Sequence, residues 1–194
     1  MINSMNVEAY LEGVIMVRKF CILIVAMFFC TSGLTIGSAS SSNPQEVKYG
    51  DTIKLYFDER EWNLGADNAK TNIFYEYVTD GQTINDWKEL VTLQMYKGMQ
   101  NKITAEKFAK GYLSMLYNTC GDKLAVSLIR NDPSDYMFEW KVNGHPKADD
   151  QYEIDRVIAG KETIVFIHYV IKTSTVTPDN RAKWIQIINK ATLE

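Results

Sequence analysis

The chain has 194 residues, with 21 Lys or Arg against 24 Asp or Glu, which gives a formal net charge of −3. The two signs of charge are interspersed, and no basic stripe of the kind that binds nucleic acid is present, so no nucleic-acid partner is expected. Aromatic residues make up 12% of the chain, which favours a folded domain over a disordered one.

Residues 16–39 have the three parts of a secretory signal peptide. A short basic start, Met-Val-Arg-Lys, precedes the apolar run 20–30, and the small residues Gly37 and Ala39 favour cleavage after Ala39. An apolar helix over that run would be roughly 16 Å long, about half of the hydrocarbon core of a bilayer. The segment therefore predicts export without a permanent membrane anchor.

The first fifteen residues do not fit the basic start of such a signal, because they contain Glu8 and Glu12. We therefore expect translation to begin at Met16. Two alternatives stay open: a lipoprotein modified at Cys30, which the bulky Met-Phe-Phe before it disfavours, and an uncleaved N-terminal membrane helix. The favoured interpretation is a mature protein in the periplasm or outside the cell, which meets the secretion machinery during export.

Removal of residues 1–39 leaves a length suited to one ordinary domain. Residues 40–50 are polar and are predicted to form a flexible lead, and residues 51–194 are predicted to form a single domain. Cys120 is the one cysteine left, so no disulfide can form within the mature chain. We expect this thiol to be buried at the end of a helix.

The elements before the first helix are predicted to be four strands, because apolar residues alternate along them. They cover residues 52–57, 61–65, 72–78 and 87–96, of which 61–65 is either a short strand or an irregular edge. Residues 81–87 form a long polar approach to the fourth strand, and this approach is the best candidate for a surface loop with a role.

Helical spacing begins after Ile103 and predicts a helix over residues 104–120. Thr104 is a suitable N-cap, and Gly121 is a natural C-terminal stop. Alternation then predicts four more strands, over residues 123–130, 136–142, 152–158 and 163–172. The last of them is apolar on both faces and is predicted to be central.

A second helix is predicted to open at Thr177-Pro178-Asp179, which supply an N-cap, a proline at the first position and an acid. The order ββββ-α-ββββ-α with hairpin connections predicts an α+β fold. We expect a single curved antiparallel sheet packed by the two α-helices. This order is similar to the fold shared by the photosystem PsbP proteins and the Mog1 family, which is a likeness of fold and implies no function.

Reactive side chains are few. His168 lies in the predicted central strand, either as a base or ligand in a pocket or as a neutral core histidine. Cys120 and His168, with Asp122 or Asp155, could form a thiol nucleophile set, although no thiol-protease signature surrounds the cysteine. The acids at 149, 150, 153 and 155 lack the pattern of a calcium loop. No catalytic residue, cofactor or metal is therefore predicted.

Aromatic residues at alternating strand positions are the remaining signal. If one sheet face is not fully covered by helices, they would line an apolar groove for a small ligand or a peptide. The alternative is that they form the core beneath a helix. The candidate ligand-binding residues, together with His168, are Tyr75, Tyr77, Tyr136, Phe138 and Trp140.

One set of residues carries a resemblance to known proteins. It comprises Phe74-x-Glu76-x-Val78-x-x-Gly81-x-Thr83-x-x-x-Trp87-x-Glu89-Leu90, then Cys120, then Arg156-Val157-Ile158-x-Gly160. This set is similar to a group of small exported gammaproteobacterial proteins of unknown function, some from intracellular pathogens that use type II secretion. The resemblance covers most of residues 50–192. It implies a secreted protein that faces a host or the environment, and it supplies no catalytic residues.

Three hypotheses for function follow from these observations. The first is an exported, non-catalytic binding protein that acts in the periplasm or outside the cell, with an unidentified protein or a small apolar ligand as its partner. The second is a carrier for a small apolar ligand or a lipid, which would use the aromatic sheet face. The third is a thiol hydrolase that uses Cys120 and His168.

Overall fold

The structure is a computed structural model that describes residues 44–67, 73–79, 81–146 and 148–194. The signal-like segment 16–39, the expected start at Met16 and the expected cleavage after Ala39 lie outside these residues. The described chain forms an α+β fold with two α-helices and antiparallel sheets.

The strands form two sheets, and within each sheet all paired strands are antiparallel. The large sheet has the order β3-β4-β5-β9-β8-β7-β6, and the small sheet has the order β1-β2-β10. The strands are β1 (Gln45–Tyr49), β2 (Asp51–Leu55), β3 (Trp62–Asp67), β4 (Ile73–Thr79), β5 (Glu89–Lys97), β6 (Leu124–Asn131), β7 (Asp135–Val142), β8 (Gln151–Ala159), β9 (Thr163–Ile171) and β10 (Thr192–Leu193).

The prediction of a single sheet with the order ββββ-α-ββββ-α is wrong. The first two strands leave the large sheet and pair with each other and with β10, which follows the last helix. Backbone hydrogen bonds of 2.8 and 2.9 Å join Thr52 to Glu194 in both directions. The small sheet was missed because β10 is a two-residue strand, too short to show any alternation.

The predicted flexible lead also needs correction in its second half. Gln45–Tyr49 is β1, and it forms a tight hairpin with β2 through Gly50, whose φ is +81°. Only glycine adopts such a φ without strain, so this turn depends on that residue. The strand escaped notice because it has one buried residue, Val47, among polar neighbours.

Two helices occur in the described chain where the sequence predicts them: α1 (Ala105–Cys120) and α2 (Pro178–Lys190). The hydroxyl of Thr104 accepts a hydrogen bond from the Lys107 N–H, and that of Thr177 accepts one from the Asn180 N–H, both at 3.2 Å. Both predicted N-caps are therefore confirmed. Neither helix combines the length and the apolar character needed to cross a membrane.

The large sheet has two faces that are covered differently, and we name each after its helix. On the α2 face, Trp184 and Ile188 of α2 and Ile53 of the small sheet pack on Leu93 and Tyr169. On the α1 face, helix α1 packs over one half of the sheet, and residues of β6, β7, β8 and β9 form the cluster beneath it. Over the other half, a small cluster forms around Trp87 and Leu90.

Two polar residues join the small sheet and α2 to the large sheet. Asp51 accepts hydrogen bonds from the N–H groups of Glu162 and Thr163, both at 2.9 Å, and from the Thr163 hydroxyl. Arg156 donates to the backbone oxygens of Ile188 and Ala191 at 2.8 and 3.0 Å, which satisfies carbonyls at the end of α2.

Candidate functional site

A buried polar row crosses the α1 face of the large sheet. Strand register aligns Glu76 with Thr92, Thr92 with His168, and His168 with Asp155, across four neighbouring strands. Glu153 lies two residues before Asp155 on β8 and therefore on the same face. All five side chains are buried. Because buried polar groups need partners, the contacts within this row decide what it can do.

Three of these side chains meet at one point. His168 Nδ1 lies 2.8 Å from Asp155 Oδ1 and 3.4 Å from Glu153 Oε2. The longer contact has hydrogen-bond geometry, whereas Asp155 Oδ1 makes no aligned hydrogen bond with any described residue. One ligand atom from each of the three residues lies within 4.8 Å of the other two. We call these residues the acid–histidine cluster.

Each carboxylate of the acid–histidine cluster is oriented by a donor on its other oxygen. The Trp140 indole N–H donates to Asp155 Oδ2 at 2.8 Å, and the Gln151 amide donates to Glu153 Oε1. In each carboxylate, one oxygen therefore accepts a hydrogen bond from its donor, and the other oxygen faces His168. On the other side of the ring, His168 Nε2 is buried and has no hydrogen-bond partner among the described residues.

Burial and charge act in opposite directions on this cluster. Burial alone would lower the pKa of His168, but the carboxylates of Asp155 and Glu153 outweigh it and raise that pKa to about 9. Burial, aided by the Asp155 charge, raises the pKa of Glu153 to about 7. In the absence of any ion, the imidazole is therefore held as a cation between two acids near neutral pH.

Glu76 stands at the far end of the same row, where burial disfavours its ionised form. Burial raises the pKa of Glu76 to about 7, and the nearby His168 charge opposes that shift. The row thus contains three carboxyl groups and one histidine beneath the surface of the sheet.

The predicted ligand-binding aromatics do not share one face. Tyr75 and Tyr77 lie on the α2 face, where Tyr77 contacts Phe57, with 5.0 Å between ring centroids. The other three predicted aromatics lie on the α1 face, buried beneath helix α1; they are Tyr136, Phe138 and Trp140. They form the core under α1, which was the alternative left open. Of the predicted set, His168 belongs to the polar row, and Trp140 donates a hydrogen bond to Asp155 of that row.

Cys120 is buried at the end of α1, and burial raises the pKa of its thiol. A thiolate, and not a thiol, is the nucleophile in thiol catalysis. His168 Nδ1 faces Asp155 and Glu153, and the His168 ring lies against the rings of Phe166 and Tyr112. The thiol-hydrolase hypothesis receives no support from these features.

The polar segment 81–87 ends at Trp87, whose side chain packs in the core of the α1 face. Trp87 is 1% exposed and packs with Val78 and Leu90, while the Lys172 ammonium lies 4.4 Å from its ring centroid. A bridge between Thr83 and Asp86 closes the loop. Through Trp87 and Ile84, this segment packs on Val78, Leu90 and Val170 of the α1 face.

A surface feature lies at one edge of the large sheet. Strand β6 ends the sheet order, so its outer side pairs with no strand of the described chain. Leu128 on β6 is 53% exposed, and Tyr117 on the neighbouring helix α1 is 49% exposed. On the opposite face, a cleft of about 290 Å³ lies beside β6 and is lined by Ser127, Lys141 and Arg181 among others. We call this feature the β6 edge.

The acid–histidine cluster was missed from the sequence because its members meet only through strand pairing. In the sequence, Glu153 and Asp155 stand with Asp149 and Asp150 in a group of acids that lacks the pattern of a calcium loop. The usable signal was their spacing of two residues, which places both on one face of a strand, next to a strand with a buried histidine. Which strand pairs with β8 could not be read from that spacing.

No family model matches the chain, and no curated protein matches it. Two residues of the sequence motif noted above have structural roles in this fold. Arg156 closes the end of α2, and Gly160 lies against Asp51, where a Cβ atom would fall 2.2 Å from Asp51 Oδ2.

Proposed function

We propose that the protein is exported and acts as a non-catalytic binding protein in the periplasm or outside the cell. The signal-like segment 16–39 and the resemblance to small exported gammaproteobacterial proteins support the compartment. The β6 edge supports the mode of action. Its partner is proposed to be a protein segment in an extended conformation, which adds to β6 as a further strand.

The observation that carries this proposal is that no strand of the described chain pairs with the outer side of β6, and that the first six residues of β6 carry no shielding charge or proline. Exposed edge strands are commonly shielded by Lys, Pro or inward charges, because their free backbone groups pair readily with other chains. From Leu124 to Ile129, β6 has no charged residue and no proline. Its regular pairing with β7 ends only at the irregularity between Leu128 and Arg130.

The chemistry of the partner follows from the two sides of the edge. An added strand would meet exposed Leu128 and Tyr117 on one face, and the polar cleft beside Ser127 and Lys141 on the other. A segment with apolar and polar residues in alternation fits both sides, because successive side chains point to opposite faces. Strand addition of this kind takes its affinity from the main chain and its selectivity from the side chains.

A displayed library of random peptides tests the binding mode. We expect the purified protein to select peptides with alternating apolar residues, and bound peptide to slow amide exchange in β6 but not in β3. Leu128→Glu should weaken binding of the selected peptides more than tenfold, since it removes the apolar contact and adds charge to the edge. Leu64→Glu is the matched control, because Leu64 is 37% exposed on the opposite edge strand.

A library that yields no binder, or binders that protect amides away from β6, would contradict the binding proposal. Equal losses from the Leu128 and Leu64 substitutions would contradict it as well.

Fractionation of expressing cells tests the compartment separately. We expect mature protein that starts at Ser40 in the periplasm or the medium, and mass spectrometry of its N-terminus checks this. Replacing Ala39 with Trp should block cleavage, because the peptidase needs a small residue there. If the chain is recovered in the cytoplasm with residues 16–39 still attached, the export proposal is refuted. The binding proposal is not affected by that result.

A further inference from the structure

We propose that the acid–histidine cluster is a binding site for one divalent transition-metal ion, held by carboxylate oxygens of Glu153 and Asp155 and by His168 Nδ1. This inference is independent of the proposed function. The cluster lies within the α1 face, whereas the proposed partner adds to the outer side of β6.

The first support is geometric. Zinc and similar ions bind histidine nitrogen and carboxylate oxygen at about 2.0–2.2 Å, so two ligands of one ion stand about 3 to 3.5 Å apart. The two contacts of His168 Nδ1, at 2.8 Å with Asp155 and 3.4 Å with Glu153, are close to that separation. All three ligand atoms lie within 4.8 Å of one another, so a small inward shift brings them to one ion.

The second support is an oxygen without an aligned donor. Asp155 is 0% exposed, yet its Oδ1 accepts no hydrogen bond of good geometry from the described residues. A buried acceptor without a donor is unfavourable, whereas a coordinated ion would satisfy it. This oxygen is the one that faces His168, and it therefore points into the proposed site.

The third support is the arrangement around the ligands. Metal-binding carboxylates are themselves commonly held by outer hydrogen bonds, which fix the oxygen that binds the ion. Trp140 and Gln151 supply such bonds to Asp155 and Glu153, in each case on the oxygen that faces away from His168. The free oxygens are thereby oriented towards a common point.

Charge balance points the same way. Two ionised carboxylates with a neutral imidazole carry two negative charges, and a divalent cation cancels both. Buried charges are normally paired or bound to a metal. Across the described chain, the salt bridges of Glu153 and Asp155 involve His168 and no Lys or Arg.

The ligand set indicates the class of ion. Calcium and magnesium prefer oxygen ligands alone, while imidazole suits zinc and other later divalent ions. We therefore use Zn²⁺ as the probe, with Ca²⁺ as the comparison ion.

Calorimetric titration of the chelator-treated protein provides the test. We expect one Zn²⁺ per chain, and no comparable binding of Ca²⁺. Replacement of zinc by Co²⁺ should give visible d–d absorption, and X-ray absorption of the zinc form should show nitrogen and oxygen ligands without sulfur. Zinc should also raise the midpoint of thermal unfolding in a concentration-dependent way, because it binds the folded state.

Three substitutions locate the ion. Asp155→Asn and Glu153→Gln should each weaken Zn²⁺ binding more than tenfold, and Trp140→Phe, which removes only the outer donor, should weaken it by about 10- to 100-fold. Asp149→Asn is the control, because that carboxylate is exposed and on the neighbouring loop, and it should leave the affinity unchanged.

Substoichiometric zinc binding by the wild-type protein overturns the proposal. Equal losses from Asp149→Asn and Asp155→Asn overturn it as well, since they would indicate binding to surface acids. Should the cluster variants fail to fold, the X-ray absorption spectrum of the wild-type zinc form decides the matter. Sulfur ligation or an all-oxygen ligand set overturns the proposal, and a mixed nitrogen and oxygen set supports it.

Discussion

The two faces of the large sheet solve the problem of burial in different ways. On the α2 face, the ring of Trp184 stacks on Tyr169 with 3.9 Å between centroids and meets Trp62 edge-on at 5.4 Å. On the α1 face, an aromatic core under α1 gives way to the row that contains Glu76, His168 and Asp155. One face is thus stabilised by apolar packing, while the other accepts groups that are unfavourable to bury.

Strand β9 belongs to both faces and shows how closely the two are joined. Ile167 and Tyr169 point to the α2 face, and His168 between them points to the α1 face. The apolar contacts of its neighbours fix the backbone of β9, so His168 is held in place by packing on the opposite side of the sheet. The polar row can therefore be altered, and its effect measured, without removing the support that positions it.

The largest expected effect tests the apolar face. Trp184→Ala should lower the free energy of unfolding by about 3–5 kcal/mol, because it removes a 0% exposed indole and leaves a cavity between two aromatic rings. Urea unfolding followed by circular dichroism measures the loss.

Trp87→Ala is the matched control on the α1 face. Trp87 is 1% exposed, but its cluster is small and it lies beside a loop, so the site can collapse around the missing ring. We expect a loss smaller than that of Trp184→Ala by about 1 kcal/mol or more. Equal losses would mean that the two faces contribute alike to stability.

The next prediction tests the polar row through the pH dependence of the free energy of unfolding. The folded-state pKa of Glu76 is raised by burial to about 7, above the ordinary value of 4.5. Its contribution to stability is therefore fully present below pH 4.5 and is lost as the pH rises through 7. Glu76→Gln removes this titration, so the variant should gain on the wild type by up to about 3 kcal/mol between pH 5 and pH 8.

The comparison requires metal-free protein and takes the difference in the free energy of unfolding between variant and wild type at each pH. Glu46→Gln is the control for the substitution itself, because it makes the same change at a carboxylate that is exposed on β1. A flat profile for Glu76→Gln would show that Glu76 is not held in its neutral form.

The helices could be predicted from the sequence because their signals are local. Thr104 and Thr177 each form the expected cap, and the apolar spacing between cap and stop is read over a dozen or so residues. The antiparallel arrangement and most of the strands of the large sheet could be predicted for the same reason, because alternation within a strand is also a local signal. The pairing of β2 with β10 joins Lys54 to Thr192, and no local pattern carries that information.

In the candidate sites, too, local patterns predict single residues, whereas the contacts between those residues depend on strand pairing. His168 was singled out because it interrupts an apolar strand, but its partners depend on the register between β8 and β9, which aligns Asp155 with it. The aromatic set failed as one face because Tyr77 and Trp140 lie on different strands, and alternation within a strand does not say which face is which. Sequence patterns thus predict which residues of one strand share a face. They do not predict which faces of different strands lie on the same side of the sheet.

The smallest of these effects tests how the small sheet is attached to the large one. A Cβ atom at Gly160 would lie 2.2 Å from Asp51 Oδ2 and 2.5 Å from Leu193 Cδ2, so Gly160→Ala should lower the free energy of unfolding by about 1–3 kcal/mol. Gly65→Ala is the control, because its nearest atom would be 3.4 Å away, an ordinary contact, and its effect should stay within about 0.5 kcal/mol.

A double-mutant cycle with Asp51→Ala sharpens that test. Asp51 loses three hydrogen bonds on substitution, but it also vacates the space that the new methyl group needs. The loss from the double variant should therefore be smaller than the sum of the two single losses, since residues in contact are not additive. Additive losses would mean that Gly160 and Asp51 act independently. The small sheet would then be held by the pairing of its strands and by its apolar contacts on the α2 face, without the polar anchor.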